Sequence, residues 1–131
     1  VDVGAQFMVS PGFNPKVVGY CVENHIAITP GISTPSDIEA ALEFGIEVLK
    51  FFPAEAFGGL KTLKAMSGPY TTVKFVPTGG ISPANLVEYL QFPKTLACGG
   101  TWIAKSKLIS DGRFDQILSN AKEAVELVRK A

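Results

Sequence analysis

The sequence predicts a parallel α/β fold, either an open doubly wound sheet or part of a (βα) barrel. Three observations carry that expectation. Short apolar runs alternate five times with helix-like segments, each run closes on Pro or Gly, and the units recur about every 20 to 26 residues. Strict alternation implies parallel strands joined by right-handed crossovers. The short spacing suits barrel units better than long open-sheet crossovers.

The elements follow in order. Gln6 to Ser10 is the first strand, Pro11 to Pro15 breaks it, and Lys16 to Asn24 carries Val17, Val18, Tyr20, Cys21 and Val22 at spacings that suit a packed helix. His25 to Thr29 is a second strand ended by Pro30-Gly31. Thr34 is a helix N-cap with Pro35 at the first helical position, and Gly45 stops that helix after Phe44. Ile46 to Phe52 is a third strand, followed by a helix from Gly58-Gly59 to about Met66 that ends at Ser67-Gly68-Pro69. Thr72 to Val76 is a fourth strand, closed by Pro77-Thr78-Gly79-Gly80, and Ser82-Pro83 opens its helix. Thr95 to Cys98 is a fifth strand, followed by Gly99-Gly100 and a closing helix from about Arg113 to Lys130.

Five units cannot close a barrel of eight. Asp2-Val3-Gly4-Ala5 reads like the tail of a preceding helix with its C-cap, so the chain is expected to be the later part of a barrel, a single domain over 1–131. A length of 131 residues with 47% apolar and 18% charged residues fits one globular core and excludes a disordered chain. Twelve basic residues balance twelve acidic ones, so no field draws in nucleic acid. Pro, Gly or a charge interrupts every apolar run before membrane-spanning length. Cys21 and Cys98 form no close pair, the composition of a reduced cytoplasmic protein without a disulfide framework or a metal site.

In parallel α/β folds chemistry sits at the C-terminal ends of the strands. On the third strand Ile46, Val48, Lys50 and Phe52 share one face by the two-residue period, while Glu47, Leu49 and Phe51 share the other. Lys50 thus stands among apolar neighbours. Such surroundings disfavour an ammonium and favour the neutral amine, the form that attacks a carbonyl carbon to give a Schiff base. A strand lysine that only snorkels or pairs with a carboxylate fits the same pattern. Gly79-Gly80 and Gly99-Gly100 follow consecutive strands, where their amides and the hydroxyls of Thr78 and Thr101 would suit a phosphate. Neither turn is a P-loop or a dinucleotide fingerprint. His25 starts its strand at the wrong end for catalysis, Phe44, Phe51, Phe75 and Tyr89 read as core, and Lys61, Lys64, Lys105 and Lys107 read as solvated charges.

Lys50-Phe51-Phe52-Pro53-Ala54-Glu55-Ala56, Pro77 to Asn85 and Cys98-Gly99-Gly100-Thr101-Trp102 together resemble the KDPG/KHG aldolases, which act on 2-keto-3-deoxy-6-phosphogluconate and 4-hydroxy-2-oxoglutarate. Ser10-Pro11-Gly12 and Ile28 to Thr34 fit in the same order, so the likeness runs along nearly the whole chain. The resemblance implies a (βα)8 TIM barrel, of which this chain holds about five units as strands 4–8, in a homotrimeric enzyme that needs no cofactor or metal. It implies Lys50 as the Schiff-base nucleophile. Thr78, Gly79, Gly80, Gly100 and Thr101 would hold the substrate's carboxylate or phosphate, with Pro11 and Phe52 as pocket wall. The family's general acid/base glutamate, a carboxylate-binding arginine and a Gly-Thr threonine precede the matched region. Glu55 is not expected to replace that glutamate. Two other readings fit the same residues: a scaffold that keeps only a phosphate-binding corner, and a different phosphate-binding barrel enzyme in which Lys50 serves electrostatics.

Overall fold

The computed structural model describes residues 2–131. Five short parallel strands, β1 (Met8–Val9), β2 (Ile28–Thr29), β3 (Gly31–Ile32), β4 (Val48–Phe51) and β5 (Lys74–Pro77), form two ladders in sequence order. β1 pairs with β2 and β3–β4–β5 form a ladder, with Gly31 opposite Lys50 and Lys50 opposite Val76. β2 and β3 are one extended segment divided at Pro30, which has no N–H to give but whose carbonyl accepts from the Lys50 amide at 2.9 Å. Sequential order is that of a singly wound barrel wall. An open doubly wound sheet would reverse its order at a switch point.

The helices are α1 (Pro15–Glu23), α2 (Pro35–Glu43), α3 (Gly59–Ser67), α4 (Leu86–Leu90), α5 (Ser106–Ser110) and α6 (Phe114–Val128). Leu49, Phe51, Val73 and Phe75 are fully buried in one cluster with Ile38 and Ala41 of α2, Leu63 of α3 and Leu86 and Tyr89 of α4. A smaller cluster joins Val18 and Cys21 of α1 to Ile28. The opposite face of β4 and β5, with Val48, Lys50 and Val76, is half-buried and concave.

The helix signals rest on specific bonds. Asn14 accepts from the amides of Lys16 and Val17 at the start of α1. At α2, Thr34 Oγ1 accepts from the Asp37 amide, and Asp37 accepts from the amides of Ser33 and Thr34 at 2.9 Å each, a reciprocal capping box. Partial burial raises the Asp37 carboxyl, but the amide and hydroxyl donors of Ser33 and Thr34 outweigh it and hold it below the usual carboxylate range. A depressed folded pKa stabilises above the unfolded value of about 3.9, and that contribution is lost as pH falls through the folded value. Asp37→Ala is therefore expected to cost about 1 kcal/mol at pH 7. Thermal unfolding at pH 7 and at pH 2 checks this, the variant's deficit shrinking at the acid end.

Helices α1, α2 and α5 end in one geometry. In each, the residue after the cap has positive φ and the next amide reaches back to the helix: Ile26 to Cys21, Ile46 to Ala41, Arg113 to Leu108. Gly45 and Gly112 hold the left-handed position in two of them, and His25 holds it in the third at φ 56. His25 thus belongs to the helix stop. The strand expected from His25 begins only at Ile28, because left-handed backbone cannot start a ladder. Left-handed backbone costs a non-glycine residue about 1 kcal/mol, partly offset by the chain entropy that glycine loses. His25→Gly is accordingly expected to raise stability by about 0.5 kcal/mol, read as a higher unfolding midpoint.

The fifth strand is the main correction. Thr95 to Cys98 is not a continuous strand; only isolated bridges form, Phe75 with Thr95 and Thr78 with Gly99. The Phe75 amide donates to Lys94 and Phe75 accepts from Leu96, but Pro77 has no N–H to continue the ladder. Its carbonyl accepts from Gly99 instead, which leaves one extra residue bulged between the bridges. Lys94 Nζ anchors this segment by donating to the Ser67 and Tyr70 carbonyls at 2.5 and 2.7 Å. Smaller differences follow from local geometry. A turn over Ser82 to Asn85 precedes α4, with Asn85 Oδ1 accepting from the Ser82 amide, and α5 is an element with no expected counterpart. Phe51, Phe75 and Tyr89 are core, whereas Phe44 is half-buried against Phe13. Among the described residues no helix is long and apolar enough to cross a membrane.

Candidate active site

β4 places Lys50 by pleat and register. Its amide is tied to Pro30, and its neighbours Leu49 and Phe51 are anchored in the helix-covered core, so the lysine is directed to the concave face. Its Nζ lies 4.4 Å from the centroid of the Phe52 ring, a cation–π contact. Two adjoining hollows meet at this side chain. One, about 470 Å³, is mainly apolar, with Val9, Val48, Val76 and Leu96 in its wall. The other, about 340 Å³, is bounded by Lys50, Phe52, Thr78, Gly79, Gly80, Gly99, Gly100 and Thr101.

The second hollow gathers the residues singled out from the strand ends. Gly79 and Gly80 adopt φ 91 and 85. The amides of Gly79, Gly80, Gly100 and Thr101 donate to no protein acceptor among the described residues. The Thr78 hydroxyl, shared by both hollows, is buried and likewise has no partner, while its methyl fills the place a Cβ on Gly99 would take. Unsatisfied donors at a concave wall suit an anion. Gly100 is bare because the Trp102 ring lies where its Cβ would stand.

Pro11 stands apart from this group. Its carbonyl packs against Gly31, at the end of β1, outside the lining of both hollows. Glu55 is also outside the lining, and its carboxylate accepts from Tyr89 Oη at 2.5 Å. No signal in the sequence pointed to that pairing. Lys61, Lys64, Lys105 and Lys107 are exposed, and Lys107 pairs with Asp111 at 3.0 Å. A larger hollow of about 630 Å³ lies between α4, α6 and the 96–103 segment, but its wall of Leu86, Leu90, Trp102 and Val125 brings no set of polar groups together. Cys98 lines it, and burial pushes this thiol up to about 11, which keeps it protonated and unreactive. Among the described residues no cluster of three or more His, Cys, Asp or Glu is placed to hold a metal.

Residues 1–120 match the family model "KDPG and KHG aldolase". The chain is 50% identical over 125 residues to the 2-dehydro-3-deoxy-phosphogluconate aldolase of Treponema pallidum, covering 95% of this chain and 60% of that protein. Among solved structures, the 2-keto-3-deoxy-6-phosphogluconate aldolase of Zymomonas mobilis with 3-phosphoglycerate aligns at a TM-score of 0.86 and 37% identity, over 94% of this chain and 57% of that one. The KDPG aldolase of Legionella pneumophila, with pyruvate captured as a covalent carbinolamine, aligns at 0.87 and 35%, over 96% and 60%. The chain thus spans about 60% of the length of the relatives it matches. These neighbours place the fold among the TIM-barrel-like α/β proteins. With a family model over nearly its full length and half its residues shared with a curated relative, the chain belongs to the KDPG and KHG aldolase family.

Proposed function

We propose that this chain carries the lysine-bearing part of a class I aldolase, with Lys50 as nucleophile. The observation that supports this best is the convergence of Lys50, a partnerless buried threonine hydroxyl and four free backbone amides on one hollow. The substrate class is a 2-keto acid with a hydroxyl two carbons beyond the keto group. 2-Keto-3-deoxy-6-phosphogluconate would give pyruvate and glyceraldehyde 3-phosphate, and 4-hydroxy-2-oxoglutarate would give pyruvate and glyoxylate.

In this reading the Lys50 amine adds to the keto carbon to form a carbinolamine, which loses water to an iminium. The iminium nitrogen accepts the electron pair of the breaking carbon–carbon bond as the 4-hydroxyl proton departs, releasing the aldehyde and leaving an enamine. Protonation of the enamine carbon and hydrolysis return pyruvate and free Lys50. The glycine amides with Thr78 and Thr101 hold the anionic ends of the substrate, and Phe52 screens the amine from water. No carboxylate lines either hollow among the described residues. The proton transfers fall to a general acid/base on another part of the full protein, where the family resemblance puts a glutamate.

The same reading assigns residues 1–131 as one domain, the C-terminal portion of a (βα)8 barrel with its strands numbered 4–8. It makes the whole protein a cytoplasmic homotrimer that takes small-molecule keto acids and neither nucleic acid nor membrane. The test is borohydride reduction with pyruvate, read by intact mass and peptide mapping. A single reduced adduct on the Lys50 peptide supports the reading, and a folded full-length protein left unlabelled rejects it.

A further inference from the structure

Glu55 connects three parts of the molecule that the mechanism needs in fixed relation. Its amide donates to the Gly79 carbonyl at 3.0 Å, beside the Ala54 amide on Thr78 at 2.8 Å, so the loop after β4 is bolted to the double-glycine turn. Its methylenes occupy the space a Cβ on Gly80 would take, 2.5 Å from where that atom would stand. Its carboxylate accepts from Tyr89 Oη at 2.5 Å, and Tyr89, on α4, is 2% exposed. The same helix is tied back to the turn by Asn85, whose Nδ2 donates to the Gly80 carbonyl at 3.2 Å. Both polar ends of the pair rest on the bare backbone of Gly59, where a Cβ would lie 2.8 Å from Glu55 Oε1. Burial first, and then the Glu55 carboxylate, push the Tyr89 hydroxyl far above its ordinary range, which keeps it a donor.

We infer that Glu55 and Tyr89 are a positioning pair that fixes the Gly79–Gly80 turn relative to Lys50 and so sets the grip on the phosphoryl end of the substrate. The inference rests on the aldolase reading proposed above. Neither side chain lines the hollow, so the pair acts through the turn and not on the reacting atoms. A charge-assisted bond of this kind is among the stronger single hydrogen bonds, and its loss frees the turn to shift.

The test uses the full-length protein with Tyr89→Phe, which removes one oxygen from a buried site. KM for 2-keto-3-deoxy-6-phosphogluconate is expected to rise about ten-fold. Pyruvate, which has no phosphoryl group, is expected to label Lys50 under borohydride at a rate within about two-fold of the unmodified protein. Glu55→Gln keeps the shape and a neutral acceptor, is expected to show the same split at smaller size, and decides the matter if Tyr89→Phe does not fold. A KM unchanged in both variants, or labelling that falls in parallel with KM, overturns the inference. An unmodified protein that is labelled but does not turn over the phosphorylated substrate also overturns it and leaves Lys50 as nucleophile. Failure of pyruvate to label the unmodified protein overturns the aldolase reading itself.

Discussion

On the proposed aldolase reading, replacing Lys50 by alanine in the full-length protein is expected to abolish the pyruvate adduct and lower turnover by about 10⁴-fold or more while the fold survives. The magnitude follows from losing the covalent route altogether, since among the described residues no second amine lines either hollow. The fold is expected to survive because Lys50 lies on the half-buried face of its strand, whereas Leu49 and Phe51 on the other face carry the core contacts. The lost packing of the aliphatic stem and the contact with Phe52 amount to about 1 kcal/mol. Circular dichroism and the unfolding midpoint, measured beside kcat, check both halves. A variant that is inactive because it is unfolded would refute the separation of roles argued for β4.

The second large effect is expected at Gly80. Gly80→Ala forces a side chain into backbone with φ 85 and drives its Cβ to 2.5 Å from the Cβ and Cγ of Glu55. Strain and overpacking together cost about 3 kcal/mol, and relief by moving Glu55 would sacrifice the Tyr89 bond. Gly79→Ala is the internal comparison. Its φ of 91 is equally unfavourable, but its Cβ would meet Pro53 at 3.1 Å, a tight contact and not an overlap. The unfolding midpoint is therefore expected to fall further for Gly80→Ala than for Gly79→Ala, with KM for a phosphorylated substrate raised in both. Equal midpoints would show that backbone strain alone governs this turn.

These expectations show where the sequence was informative. Thr34 before Pro35 and Gly45 after Phe44 are local signals, and the helix between them came out within a residue of its expected limits. The alternation of β4 was enough to set Lys50 apart from the buried residues, because a two-residue period fixes which face each side chain takes. What failed depended on partners distant along the chain. The break in the fifth strand comes from a proline on β5, visible only once the two segments are known to be paired. His25 looks like the start of a strand until its φ is known. Nothing near Glu55 in the sequence marks its pairing, because its partner, Tyr89, lies 34 residues away and reads as an aromatic core residue.

The neighbour-only strand order has a kinetic side. Every pairing, from Met8 with Ile28 to Phe75 with Thr95, closes a loop of 19 to 26 residues. Closure entropy varies by only about 0.3 kcal/mol over that range. No contact is therefore favoured by chain length, and apolar content decides where folding starts. β4 against β5 brings together Leu49, Phe51 and Phe75, all completely shielded from solvent, whereas β1 offers only exposed residues. The nucleus is expected at the strand that bears Lys50, with later units added outward from it like successive turns of a zipper.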